Sequence, residues 1–310
     1  MNILVTGAAG YIGSTLIGYL LDDGHKVTAI DNFMFGEASL NHYCHNENFE
    51  IISGDVRVKE TIKPPMANAD VVIPLAAIVG APLCAKDPVA AKTTNHDAVA
   101  LMLDIASKEQ LILMPTTNSA YGSGDENNFS TEESPLNPIS SYAIEKVEVE
   151  KKLMDRENSI SFRLATVFGM SPRMRIDLLV NDFTHRAVND SAVVLFESHF
   201  KRNYVHVRDV CRTFLHGIHS FGSMKSQIYN VGLSSANVSK FELCKKIAEQ
   251  VPGFVFLEHN HAKDPDQRNY VVSNAKIEAT GWQPTFTLES GISELIKGFR
   301  MIRNRRYGNI

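Results

Sequence analysis

Several common protein classes are excluded by what this chain has little of. Its 310 residues hold only four cysteines, Cys44, Cys84, Cys211 and Cys244, with no CxxC pair and no metal-ligand spacing. That excludes a disulfide framework and reads as reduced thiols in a cytoplasmic protein. Net charge is -4, so there is no bulk basic character to hold a nucleic acid. The longest apolar stretch, Val71 to Leu83, is interrupted by Pro74 and Pro82 and is too short to span a bilayer. The first residues read as a core strand, which leaves no room for a signal peptide. His185, His199, His206, His216 and His219 make no HxxxH or HxH cluster with carboxylates, so no metal is expected, and His206 reads as a structural histidine. Repeats and low-complexity segments are absent. The basic tail Arg300 to Arg306 reads as a solvated helix end.

What is present is the composition of a globular protein, 44% hydrophobic and 21% charged, and one dense motif at the start. Asn2–Thr6 is a short apolar run. Gly7-Ala-Ala-Gly10-Tyr11-Ile12-Gly13 follows and opens a helix-like segment, Ser14 to Leu21. A second apolar run, Val27–Ile30, ends in Asp31. Strand, glycine loop, helix, strand and acid in this order form a dinucleotide-binding βαβ unit. Gly7 allows the tight turn, Gly10 the approach of a pyrophosphate, and Gly13 close packing of helix on strand. The helix N-terminus offers N–H groups to the phosphates. Asp31 accepts hydrogen bonds from the ribose hydroxyls and repels a 2′-phosphate. The following Asn32-Phe33-Met34-Phe35 carries no Arg or Lys to hold one, so NAD is expected rather than NADP.

Apolar runs at Glu50–Ser53, Val71–Leu75, Leu111–Thr116 and Ser161–Leu164 continue the alternation, with helix-like segments Thr93–Ser107 and Tyr142–Asn158 between them. This predicts an α/β fold: a Rossmann-type doubly wound parallel sheet with a smaller mixed α/β C-terminal substrate domain. The expected division is a NAD-binding domain over 1–165 and a mainly substrate-binding domain over 166–310. Tyr204–Asp209, the helix Val210–His219 and the strand Ile228–Val231, within 204–232, are expected to return to the first sheet. Pro172, Arg173 and Arg175 fall in a loop, and Ile176–Asn189 reads as helix. Asp125–Asn128 and Ser130–Pro138 read as a polar loop over the site.

Tyr142-Ala-Ile-Glu-Lys146 places a phenol and an ammonium one helical turn apart on one face. A neighbouring ammonium favours the phenolate, so Tyr142 is a candidate base for a sugar hydroxyl, and Lys146 a candidate hold on the cofactor ribose.

With this pair added, the chain resembles the extended short-chain dehydrogenase/reductases of the NAD-dependent epimerase/dehydratase type over nearly its whole length. The resemblance rests on the glycine loop, Asp31, Gly54-Asp55-Val56, Leu75-Ala76-Ala77, Asn95, Ser119-Ala120-Tyr121-Gly122, Tyr142 and Lys146, Arg202–Val210 and Tyr229-Asn230-Val231-Gly232. It implies that Asp55 and Val56 flank the adenine and that Ala76 and Ala77 line the nicotinamide ribose. Tyr11, Ile12, Asn32, Leu75 and Asn95 join the cofactor-binding set. Thr117 hydrogen-bonds the sugar oxygen and passes its proton to Tyr142. The implied substrate is a nucleoside-diphosphate sugar, its diphosphate held by Arg202 and Arg268. Asn118, Thr166 and Asn181 complete the substrate set. The resemblance also implies a homodimer through a four-helix bundle of Thr93–Ser107 and Tyr142–Asn158, although packing within one subunit explains their apolar faces equally well.

Three departures narrow the reaction. The 4,6-dehydratases of this type carry Asp-Glu after the catalytic Thr, where this chain has Asn118-Ser119. Neither readily replaces a carboxylic acid in protonating a leaving hydroxyl. The 3,5-epimerases place a Cys just beyond the Ser/Thr, where Ser119 stands, and Cys84 reads as a buried structural thiol. The 4-epimerases usually show Asn where Thr166 stands, which counts against UDP-galactose 4-epimerase itself and keeps a dehydrogenase close behind. The expected activity is therefore a nucleotide-sugar epimerase acting through a transient 4-keto sugar by hydride transfer at C4. A nucleotide-sugar 4-dehydrogenase of a surface polysaccharide pathway, on a hexose or heptose, is the alternative. A non-catalytic dinucleotide-binding sensor is a third reading, and such proteins usually lose the Tyr/Lys pair.

Overall fold

The computed structural model describes residues 1–36, 38–123, 128–259 and 268–302. The basic positions 303–306 and most of the Asp125–Asn128 loop lie outside the described residues. Twelve strands are described: β1 (Asn2–Thr6), β2 (Lys26–Asp31), β3 (Phe49–Ser53), β4 (Val71–Pro74), β5 (Leu111–Thr117), β6 (Ser159–Leu164), β7 (Thr166–Phe168), β8 (Ala192–Phe196), β9 (Lys201–His206), β10 (Gln227–Val231), β11 (Asn237–Ser239) and β12 (Val255–His259). Seven form one parallel sheet in the order β10-β6-β5-β4-β1-β2-β3.

This is a doubly wound order. The chain runs outward from β1 to β3, then crosses back to β4 on the other side of β1, pairing Ile3 with Val27 on one side and with Val71 on the other. Ligands of such sheets bind at this reversal, beyond the carboxyl ends of the strands.

Alternation along β1 explains the two helix layers. Ile3 and Val5 point into one apolar cluster with Leu16, Leu20, Val210 and Phe214. Leu4 points into the other, with Ile62, Met66, Val99, Met102, Val149 and Leu153. The helices Gly13–Asp22 and Val207–His219 thus cover one face. Lys59–Asn68, Ala98–Ile105 and Ser141–Met154 cover the other. The first of these contains Pro64 and Pro65, which is why its periodicity does not announce a helix. None of the described helices is long and apolar enough to cross a membrane.

Two sheets lie outside the main one. β9 pairs parallel with β7 and antiparallel with β11, and β12 pairs parallel with β8. The 204–209 stretch therefore does not return to the first sheet as expected: it splits between β9 and the first turn of the following helix. An apolar run such as Tyr204 to Val207 does not encode which sheet receives it. The helix Val207–His219 and β10 do return, with Gln227 pairing Ile160 of β6. Helix Ser141–Met154 also stops short of the expected Asn158. Ser159 turns its hydroxyl back onto the Leu153 and Arg156 carbonyls, and Asn158 bonds the Lys108 carbonyl.

Candidate active site

A cavity of about 1140 Å³ opens at the carboxyl ends of β1 to β6. That exceeds the usual range for one small ligand, roughly 300–1,000 Å³. Its walls are built strand end by strand end.

At the end of β1, Gly7 adopts φ 64° and passes against the loop after β4. A Cβ there would lie 2.6 Å from the Ala76 backbone. A Cβ on Gly13 would lie 2.6 Å from the carbonyl oxygens of both Gly7 and Ala8. Gly13 therefore closes the loop on itself; the expected helix-against-strand role is only part of its function. Helix Gly13–Asp22 has no side-chain cap, and Gly10, Tyr11, Ile12 and Gly13 all line the cavity. The positive end of the helix faces it.

Asp31 closes β2. Its Oδ2 accepts the Ala9 N–H at 2.9 Å and its Oδ1 the Phe33 N–H at 2.8 Å. Burial holds this carboxyl above its ordinary value, and the backbone donors offset only part of that rise. Asp31 thus braces the glycine loop and still borders the cavity beside Asn32. Beyond β3, Asp55 binds Arg57 through Nη2 at 2.6 Å and Nε at 3.0 Å, a pairing that holds its carboxyl low. Val56, Leu75, Ala76 and Ala77 complete this half.

The other half is anchored by a buried network. Arg163 and Glu150 pair at 2.6 Å, each almost sealed from solvent. The Thr116 and Ser161 hydroxyls donate to the same carboxylate at 2.8 and 2.7 Å. Arg163 also donates to the Tyr121 hydroxyl, which donates to Asn230 of β10. Strands β5, β6 and β10 are thereby locked directly under Thr117. Thr117 caps the short turn Asn118–Tyr121: it accepts the Ser119 N–H at 3.1 Å and donates to the Ser119 hydroxyl at 3.0 Å. Arg268 donates to that same Ser119 hydroxyl. Thr117, Ser119, Tyr142, Lys146 and Arg268 all line the cavity.

Helix Ser141–Met154, capped by the Ser140 hydroxyl, carries Tyr142 and Lys146. Burial governs both, contrary to the expectation from their spacing. It pushes the Tyr142 phenol up to about 12, against the lowering charges of Arg175 and Arg268. It pushes the Lys146 ammonium down to about 8. In the ligand-free site Tyr142 is a protonated phenol, and Lys146 keeps its charge only below about pH 8.

Three expected site residues are not brought to the cavity. Asn95 is fully buried: its carbonyl accepts the Ile78 N–H, and its amide donates to the Ile78 carbonyl and Glu145. It shapes the loop after β4. Asn181 is also buried, bonding the Gly169 N–H, the Arg175 carbonyl and the Tyr11 hydroxyl. Asn118 is buried beside Thr117 with neither amide atom hydrogen-bonded. Thr166, Arg202 and Arg268 do line the cavity. Arg202 donates to the Lys201 carbonyl and stacks near Tyr270, 5.6 Å from the ring centre.

Two residues to which the sequence assigns no role also line the cavity, Arg175 and, on the glycine-loop side near Asp31, Arg173. Arg175 pairs with Asp177 at 2.5 Å, and the Arg173 guanidinium lies 4.0 Å from the Phe35 ring centre. A pair of arginines in a proline-containing loop was the available signal. Arg175, Arg202 and Arg268, all lining the cavity, are suited to a diphosphate.

The model of the family described as "NAD dependent epimerase/dehydratase family" matches residues 3–232. The low-salt glycan biosynthesis protein Agl12 of Haloferax volcanii is 28% identical, with 96% of this chain and 97% of that protein covered. UDP-glucuronic acid decarboxylase 1 of Xenopus tropicalis is 27% identical, with 96% of this chain and 72% of that protein covered. Among solved structures, the UDP-glucose 4-epimerase of Thermus thermophilus in complex with NAD superposes with a TM-score of 0.83 at 25% identity, over 97% of this chain and 99% of that one.

Proposed function

The chain belongs to the NAD dependent epimerase/dehydratase family, and from that premise we propose that it is a nucleoside-diphosphate-sugar epimerase working through a transient 4-keto sugar. It is an NAD-dependent enzyme acting on nucleotide sugars. NAD fits the glycine-loop half: Gly7 and Gly13 leave no space for a Cβ, the helix end is uncapped, and Asp31 borders the pocket. Bound NAD supplies the hydride acceptor and donor for the sugar carbon.

The residues of the chain do the rest. Asp31 accepts the ribose hydroxyls, and Gly10 to Gly13 take the pyrophosphate. Arg175, Arg202 and Arg268 hold the sugar nucleotide by its diphosphate. Thr117 positions the sugar 4-hydroxyl, and Tyr142 takes the hydroxyl proton and returns it to the same oxygen once the keto sugar has turned its other face to the nicotinamide. Lys146 charges the site near the phenol and grips the nicotinamide ribose. Asn95 and Asn181 are positioning residues in this scheme. Homodimerisation through Ala98–Ile105 and Ser141–Met154, which leaves Ile144 exposed, belongs to the same reading.

One observation carries the epimerase reading over dehydration: Asn118 and Ser119 follow Thr117 in the chain, and among the described residues no carboxylate stands beside it. Among the described residues the cavity acids are Asp31, Asp55, Asp177 and Asp182. The first two border the glycine-loop half, Asp177 is held by Arg175, and Asp182 by Arg186. Loss of a hydroxyl from the sugar needs an acid at the reacting carbons. Interconversion of alcohol and ketone, with NAD as the hydride carrier, needs no acid or base beyond Thr117 and Tyr142.

The test is incubation with UDP-, GDP-, CDP- and dTDP-sugars and a trace of NAD, with products read by proton NMR. An isomer formed in excess of NAD supports the proposal. A ketone formed only in proportion to NAD identifies a 4-dehydrogenase instead.

A further inference from the structure

At the end of the sheet opposite the cavity, the helix Gly13–Asp22 turns into β2 through Asp23 and His25, and the last turn of helix Val207–His219 brings His219 beside them. Asp23 Oδ2 lies 2.9 Å from His25 Nε2 and 2.7 Å from His219 Nε2. The three donor atoms all fall within 4.8 Å of one another.

His25 is 8% exposed, and its buried Nε2 faces the Asp23 carboxylate at 2.9 Å. Without a metal, the Asp23 carboxylate bridges the two imidazoles through ring protons; the same three atoms converge on one point that a cation can take in place of those protons.

We propose that Asp23, His25 and His219 form a binding site for a divalent transition metal of the zinc class, joining the C-terminal ends of two helices that cover one face of the sheet. Two imidazoles and one carboxylate are the borderline donors zinc accepts, and a fourth position is left to water. Tetrahedral zinc with such ligands separates donor atoms by about 3.3 Å. The donors must therefore open by about half an ångström. Asp23 and His219 can move that far, since their side chains are 27% and 55% exposed. The Met1 nitrogen lies 3.4 Å from His25 Nδ1, and it can accept the Nδ1 proton of a metal-bound His25 only as the neutral amine, so metal uptake is accompanied by proton release. Spacing within short segments could not reveal the site, because Asp23 and His219 lie 196 residues apart.

The test uses the untagged full chain, titrated with zinc by calorimetry and with cobalt by absorption spectroscopy. One equivalent per chain, a four-coordinate cobalt spectrum and a higher thermal midpoint with zinc are expected. Asp23→Asn and His219→Ala, both at surface positions, each weaken zinc binding by at least about tenfold and abolish the cobalt bands. Neither changes turnover of the metal-free enzyme. A wild-type chain that takes up no zinc, or zinc uptake untouched by both substitutions, overturns the assignment.

Discussion

Replacing Lys146 with Met should make the protein more stable while removing its catalysis. The Lys146 side chain is 3% exposed, and burial lowers its pKa from 10.5 to about 8. The unfolded chain binds this proton below pH 10.5, whereas the folded chain releases it above about 8. Between those values the unfolded state holds more protons, so falling pH works against the fold. The full penalty is reached below pH 8. At about 1.4 kcal/mol per tenfold, it amounts to about 3 kcal/mol. Methionine fills much of the same volume and carries no such penalty. Urea unfolding of nucleotide-free wild type and Lys146→Met, from about pH 7 to about pH 10, measures the difference. The variant should lead by up to about 3 kcal/mol at neutral pH, and the lead should shrink steadily as pH rises. A gap that does not change with pH, or a variant less stable at neutral pH, refutes the reasoning. The expected pattern is a site kept for activity at a cost in stability.

Other substitutions probe separate parts of the account. Tyr142→Phe should lower kcat by roughly 10²–10⁴-fold while leaving NAD affinity unchanged in a binding titration. Asp31→Ala should weaken NAD binding and narrow the preference over NADP, because it removes both the ribose acceptor and the brace on the Ala9 and Phe33 N–H groups; dissociation constants for the two cofactors check this. Glu150→Gln leaves Arg163 buried without its counter-charge and should cost about 3–5 kcal/mol in denaturant unfolding.

The parts of the site that sequence makes legible are the local ones. Glycines at 7, 10 and 13 force a turn, and the helix that follows starts within the same few residues. Tyr142 and Lys146 share a face because a helix repeats over that interval. Their electrostatics was not legible, since the Tyr142 phenol answers to its burial and to Arg175 and Arg268, which reach it from distant segments. Ser119 and Arg268 meet across almost half the chain. Asn95, Asn118 and Asn181 show a different limit: an amide serves a backbone loop as readily as a ligand, and only packing decides which. The same holds for β9, whose apolar residues suit either sheet, with the choice set by pairing to Thr166–Phe168.

The central claim is that one sugar carbon loses and regains its hydrogen within a single enzyme-bound cycle. A nucleotide-sugar substrate identified by the NMR panel, labelled with deuterium at C4, tests this directly. Deuterium retained at C4 in both the remaining substrate and the epimerised product is the predicted result. Deuterium lost to solvent, or inversion at a carbon other than C4, contradicts it.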